Sequence, residues 1–176
     1  LLEKAGLCFE VDAGNCPENL SSELEPHQLA MQISLEKAQS VAGKYPDAVI
    51  IGADTFGVLD GRIIGKPGTA EEARAMLKSI GGKCHLVITG YSIIDTACGK
   101  SVSGTVETRV YIKELTPEEI DAYVKTGEPL DKAGAYAIQG LGALFVEKIE
   151  GDYFNVVGLP VYALMNALKE FGIRVF

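Results

Sequence analysis

Three short segments of this chain set ionisable or amide side chains among small residues, and these are where chemistry would be done. The longest is Glu128-Pro129-Leu130-Asp131-Lys132-Ala133-Gly134-Ala135-Tyr136-Ala137-Ile138-Gln139-Gly140, which holds carboxylate, ammonium, phenol and carboxamide groups. Such a run makes a poor helix and a poor strand. Its small residues let the backbone approach a ligand closely while the polar side chains point at it. The second is Val49-Ile50-Ile51-Gly52-Ala53-Asp54-Thr55, an apolar strand that ends in an acid and a hydroxyl. The third, Gly65-Lys66-Pro67, fixes the backbone on both sides of one charged arm. Together they read as one pocket whose residue types suit a phosphorylated substrate and a divalent metal.

Each residue also has a plainer role. Asp54, at the carboxyl end of a buried apolar strand, points to where ligands bind in open α/β sheets. There it acts as a metal ligand or as a base that activates water. The plainer role is a turn cap; Gly52 and Ala53, which clear space around it, favour function. Glu18 lies in a polar loop and by itself is an ordinary solvated acid. Lys37 sits beside an apolar helix stripe, where a lysine usually snorkels to water. Asp131 and Lys132 either pair on the surface or face a ligand. Gln139 either recognises a base edge through its amide or satisfies a buried backbone group. His27 and His85 are isolated, which favours structural roles. The sequence has no G-x-S-x-G elbow and no Walker-type glycine loop. With no evident nucleophile, metal-assisted attack by water is the economical mechanism.

The elements that must position these residues follow from patterning. Residues 1–5, stopped by Gly6, read as the end of a helix, and residues 8–11 as a short strand. Residues 12–25 read as a loop. Pro26 opens a helix whose stripe carries Leu29, Ile33 and Val41 and which ends near Gly43. Residues 48–53 form a strand buried on both faces. Residues 57–64 form a hairpin around Asp60-Gly61. Thr69 to Glu72 and Thr116 to Glu119 are capping boxes that open two further helices. Residues 83–94, 101–112 and 142–149 read as strands, and residues 160–171 as a last helix capped by Gly172. The irregular alternation predicts an α/β fold, a mixed twisted sheet flanked by helices. Two closely joined lobes with a cleft would hinge at Pro67 and at residues 128–140.

The bulk numbers narrow the partners. A chain of 176 residues fits one domain and buries a core without staples. With 16 basic and 24 acidic residues the net charge is −8, which argues against nucleic-acid or anionic-membrane partners. Cys8, Cys16, Cys84 and Cys98 have no zinc spacing and read as reduced thiols of a cytoplasmic protein. No apolar run approaches membrane-spanning length.

Gly52-Ala53-Asp54-Thr55, Gly65-Lys66-Pro67, the block from Asp131 to Gly140 and Gly151-Asp152-Tyr153-Phe154-Asn155-Val156-Val157-Gly158-Leu159-Pro160 resemble the Maf proteins, in order along essentially the whole chain. These are nucleoside triphosphate pyrophosphatases of the superfamily that includes inosine triphosphatase. The resemblance implies a cytoplasmic enzyme that cleaves a nucleoside triphosphate to the monophosphate and pyrophosphate. The metal would be Mg²⁺, with Mn²⁺ or Co²⁺ as alternatives, and the assembly a homodimer. It implies that Asp54 is the general base and, with Glu18, the metal-binding acid. Glu18, Lys37 and Lys66 fall on the family's other charged site positions. Thr55 and Gln139 match the substrate-selecting positions of the dTTP/UTP branch, with Asp131 and Lys132 beside them. The branch acting on 7-methyl-GTP carries Gln after the Asp and Glu in place of this Gln. Two positions depart from the pattern. Ala137 stands where Gly is usual. The family's opening strand and Ser-x-Ser-Pro-Arg-Arg loop have no counterpart before Leu1-Leu2. The rival function is a nucleotide-binding regulator of cell division with little turnover.

Overall fold

The computed structural model describes residues 1–14, 16 and 24–176. Five strands form one sheet in the order β2-β1-β3-β4-β5. They are β1 (Val49–Leu59), β2 (Arg62–Ile64), β3 (Cys84–Asp95), β4 (Ser101–Ile112) and β5 (Val146–Glu150). The helices are α1 (Pro26–Ala42), α2 (Ala70–Ile80), α3 (Pro117–Val124), α4 (Tyr153–Val157) and α5 (Val161–Leu168). Both edge pairings are antiparallel. Gly57 faces Ile64 and Leu59 faces Arg62 in β1–β2, and Arg109 faces Glu150 in β4–β5. The expected α/β class is what forms.

The chain makes two compact units. The first comprises Leu1–Thr55, Thr89–Val106 and Gly158–Phe176; the second comprises Phe56–Ile88 and Glu107–Val157. In the first, Ile93, Leu164, Ala167 and Leu168 form a core with Leu2, Leu7, Val49, Ile51 and Val102 packed against it. In the second, α2 contributes Ala73, Leu77 and Ile80, α3 contributes Ile120, Tyr123 and Val124, and the sheet contributes Leu59, Val87 and Val110. Pro67 and residues 128–140, expected as hinges, both lie inside the second unit. The chain crosses between units within β1, β3 and β4 and after α4 instead. Long strands carry three of these four crossings, so no loop is needed for those three.

Local signals account for most boundaries. Pro26 occupies the first turn of α1, where its missing N–H costs nothing, and Gly43 follows the last turn. Asp60 and Gly61 take φ of 50° and 75°, the left-handed pair that a two-residue hairpin turn requires. Thr116 and Glu119 cap α3 reciprocally. At α2 only half of the box forms. Thr69 accepts from the Glu72 N–H, but the Glu72 carboxylate turns to the Gly68 N–H at 2.6 Å.

Residues 1–6 make the last turn of a helix, as expected: the Ala5 N–H bonds the Leu1 carbonyl at 3.0 Å, and Gly6, at φ of 82°, closes it with its own N–H on the Glu3 carbonyl and the Leu7 N–H on the Leu2 carbonyl. Three expectations are corrected. Residues 8–11 form no strand, and Phe9 and Val11 are exposed there. Residues 141–145 are a 3-10 turn, so that β5 starts only at Val146. The apolar strand does not stop at Asp54. β1 runs through it to Leu59, because Gly52, Asp54, Phe56 and Val58 alternate onto one buried face.

Candidate functional site

In the first unit, α1 packs on β1 and β3, and glycines decide how closely. A Cβ on Gly52 would lie 2.2 Å from the Ser34 carbonyl oxygen, and one on Gly90 2.0 Å from that of Ala30. The facing helix positions are themselves small: Ala30, Ser34 and Ala38 are all buried. Gly52 thus makes room for a helix backbone, where the sequence had suggested room for a ligand. The Ser34 hydroxyl donates to the Met31 carbonyl at 2.8 Å and meets the Ser92 hydroxyl at 2.7 Å, which meets that of Ser103 at 2.7 Å. This serine chain, which runs from the buried Ser34 and Ser92 out to the exposed Ser103, was not expected, although the small residues spaced along α1 are its signature.

That close approach brings Lys37 to Asp54. Lys37 follows Ser34 by three residues on the buried stripe, and its ammonium donates to Asp54 Oδ1 at 2.6 Å. The Asp54 side chain is 7% exposed and that of Lys37 27%. A carboxylate so far withdrawn from water needs a partner, and an ammonium in hydrogen-bond contact supplies both charge and direction. Lys37 is therefore not a snorkelling surface lysine. Asp54 sits within a strand and not at its end, which fixes its backbone on both sides. Beside it, the Thr55 hydroxyl donates to the Gly158 carbonyl at 3.2 Å and meets the Thr89 hydroxyl at 2.8 Å. Thr55 thus ties the Gly158 turn to the strand.

In the second unit, Lys66, Asp131 and Lys132 come together. The Gly65 carbonyl accepts from the Gly134 N–H at 3.1 Å, which joins the two segments. The Lys132 ammonium donates to Asp131 Oδ2 at 2.8 Å. That bond, with Lys66 contributing further positive charge, holds the Asp131 carboxyl below the usual range. Gly134 takes φ of 74° between the short 3-10 turns at Glu128–Asp131 and Ala133–Ala135. The run expected to be neither helix nor strand is a chain of such turns. Gln139 is exposed, at the apex of a turn closed by the Gly140 N–H on the Ala137 carbonyl at 3.1 Å.

His85 is structural, as its isolation implied. It is buried and its Nε2 lies 3.0 Å from the Tyr136 hydroxyl. Burial lowers its pKa to about 4, so that it is neutral at pH 7. Glu18 lies outside the described residues. A largely apolar cavity of about 500 Å³ in the first unit is lined by Phe9, Val11, Val41, Val49, Ile51 and Leu159 among others; Lys37, Asp54, Thr55, Lys66, Asp131, Lys132 and Gln139 do not line it.

Among the described residues, no three His, Cys, Asp or Glu side chains group as a metal cage. A Mg²⁺ ion carried largely by phosphate oxygens and water needs only one or two carboxylates, and Asp54 fits that demand. Among the described residues, no helix is long and apolar enough to cross a membrane, and the four cysteines are free thiols.

The family model described as "Maf-like protein" matches residues 1–171. A protein of Thermoanaerobacter sp. (strain X514) is 53% identical over 176 residues, covering 99% of this chain and 92% of that protein. One from Methanococcoides burtonii is 49% identical over 96% of this chain and 86% of its own. One from Bacillus cereus (strain AH820) is 46% identical over 99% and 91%. Each of the three is named "dTTP/UTP pyrophosphatase".

Proposed function

This chain belongs to the Maf-like proteins, and from that premise we propose that it hydrolyses dTTP and UTP to the monophosphate and pyrophosphate. The observation that carries this reading is the buried Asp54 carboxylate aimed by Lys37. A binding protein with little turnover has no use for an oriented buried base, which weighs against a purely regulatory role.

Water attacks the α-phosphorus. Its oxygen forms the new P–O bond, the bond from α-phosphorus to the bridging oxygen breaks, and pyrophosphate leaves. Asp54 takes the proton from the attacking water as general base. Lys37 orients that carboxylate and offsets its charge. Lys66 and Lys132 neutralise the phosphates and the leaving pyrophosphate. Gln139, with one donor and one acceptor group on its amide, reads the edge of the pyrimidine, and Thr55 supports that selection through the strand it braces. A divalent metal, when bound, would screen the phosphate oxygens and lower the pKa of water; Asp54 would hold it, with Glu18 as the second acid. Assembly as a homodimer belongs to the same proposal.

The test is pyrophosphate release from dTTP, UTP, CTP, ATP and GTP, with hydrolysis repeated in isotope-labelled water. The label should enter the monophosphate, and dTTP and UTP should lead the panel. Orthophosphate with a diphosphate, or stoichiometric binding without turnover, would overturn the reading.

A further inference from the structure

The segment that carries Gln139 is held by two side chains that the proposed chemistry does not use. The Glu128 carboxylate accepts three hydrogen bonds: from the Tyr123 hydroxyl at 2.8 Å, the Gly142 N–H at 3.0 Å and the Leu141 N–H at 3.0 Å. Tyr123 spends its one hydroxyl proton on Glu128, and its oxygen accepts the Ala137 N–H at 3.2 Å. The two side chains therefore grip the loop on both sides of Gln139, at Ala137 before it and at Leu141 and Gly142 after it. The turn between is closed by its own backbone bond, from Gly140 N–H to the Ala137 carbonyl.

The fit leaves no slack. A Cβ on Gly140 would lie 2.5 Å from both Glu128 carboxylate oxygens, and one on Gly142 2.7 Å from the Tyr123 hydroxyl. The anchors are themselves fixed. Tyr123 is 4% exposed, with its ring edge-on to Phe145 at 4.9 Å. The Glu128 N–H donates to the Thr126 hydroxyl at 3.2 Å. Burial pushes the Glu128 carboxyl up, but the Gly142 and Leu141 N–H groups, the Tyr123 hydroxyl and nearby Lys132 together hold it below its usual range. Burial first, and then Glu128, push the Tyr123 phenol up, so it stays a donor at any working pH.

We propose that Tyr123 and Glu128 are specificity-positioning residues: by clamping residues 137–142 they set where the Gln139 amide is presented to the base. This rests on the assignment of Gln139 as the base reader. An exposed amide on a loose loop loses discrimination to loop entropy, whereas one on a clamped turn meets its partner at lower ordering cost.

The experiment measures kcat and KM for UTP and GTP in Tyr123→Phe, Glu128→Gln, Gly140→Ala and Gln139→Ala, and in Tyr123→Phe combined with Gln139→Ala. Tyr123→Phe keeps the ring in place and removes only the hydroxyl, so it is the variant that tests the clamp without unfolding it. Gly140→Ala pushes on the same carboxylate from the loop side. The UTP-to-GTP ratio of kcat/KM should fall about tenfold in each clamp variant, mostly through a raised KM for UTP. In the Gln139→Ala background, Tyr123→Phe should cause no further loss. A Tyr123→Phe enzyme with wild-type discrimination beside an altered Gln139→Ala overturns the clamp alone, as do additive losses in the double variant. A Gln139→Ala enzyme with unchanged discrimination overturns the assignment of Gln139 as reader, whatever Tyr123 does.

Discussion

The two units treat their charged residues in opposite ways. In the first, Asp54 is buried within a strand, and a helix brought down on Gly52 delivers one ammonium to it. In the second, Lys66, Asp131 and Lys132 stand at or near the surface on short turns, and the fixed element there is a loop backbone, gripped by Tyr123 and Glu128. Under the proposed mechanism the difference follows from what each must do. A base that accepts a proton has to be in one place with one orientation, and burial between a strand and a helix supplies that. Groups that meet a large polyanion gain from reach and from long-range charge, which exposure allows. Under the same proposal, precision in the second unit is spent where selection needs it, on the position of the Gln139 amide.

The sharpest way to break this contrast is Asp54→Asn. The amide keeps the shape and loses the proton acceptor, so turnover should fall ~10²-fold or more. Pyrophosphate release measures it, with circular dichroism to show that the fold survives. Wild-type turnover would remove Asp54 as the base.

Gly52→Ala tests how Lys37 is delivered. Its methyl group would meet the Ser34 carbonyl at 2.2 Å, and backbone cannot swing aside as a side chain can. A loss toward the upper end of ~1–3 kcal/mol is expected from urea midpoints, together with a fall in kcat as α1 is pushed off β1. Unchanged stability would mean the helix approach is soft.

The second unit should carry a pH dependence of its own. His85 titrates near 6.5 when unfolded, and burial lowers that to about 4 in the fold. Between these values the unfolded chain binds the proton and the native one does not. Stability is therefore complete above pH 6.5 and is lost as pH falls toward 4. From this group about 2 kcal/mol should disappear between pH 7 and pH 5. His85→Asn, which does not titrate, should flatten that part of the profile even if it is less stable at every pH. An identical slope in both proteins would place the acid sensitivity elsewhere.

Lys66→Ala should have the smallest effect. Loss of one exposed charge on a phosphate predicts a KM about tenfold higher, with kcat changed less and melting temperature unmoved. Added salt should raise the wild-type KM and narrow the gap between the two. A change confined to kcat would move Lys66 from binding to chemistry.

Much of this organisation was legible beforehand because its causes are local. Pro26 and Gly43 bound α1, Asp60-Gly61 turns the first hairpin, Thr116 and Glu119 cap α3, and the small-residue run from Glu128 forms turns, each through atoms a few residues apart. The types and order of the site residues likewise carried the resemblance to the Maf-like family, which the family match bears out. Tertiary structure alone decided what those residues touch. Asp54 proved to be mid-strand because alternation onto a buried face continues past it, and a periodicity broken by polar residues does not show where a strand stops. Lys37 meets Asp54 only because glycines at 52 and 90 admit a helix, a clearance set by atoms 14 residues apart or more. Glu128 looked like one more acid in a polar run. Its three hydrogen bonds come from a hydroxyl five residues back and two N–H groups 13 and 14 residues ahead. A sequence names the donors and acceptors; which of them meet depends on how chain segments are folded back on one another, and that is fixed by the packing of the whole.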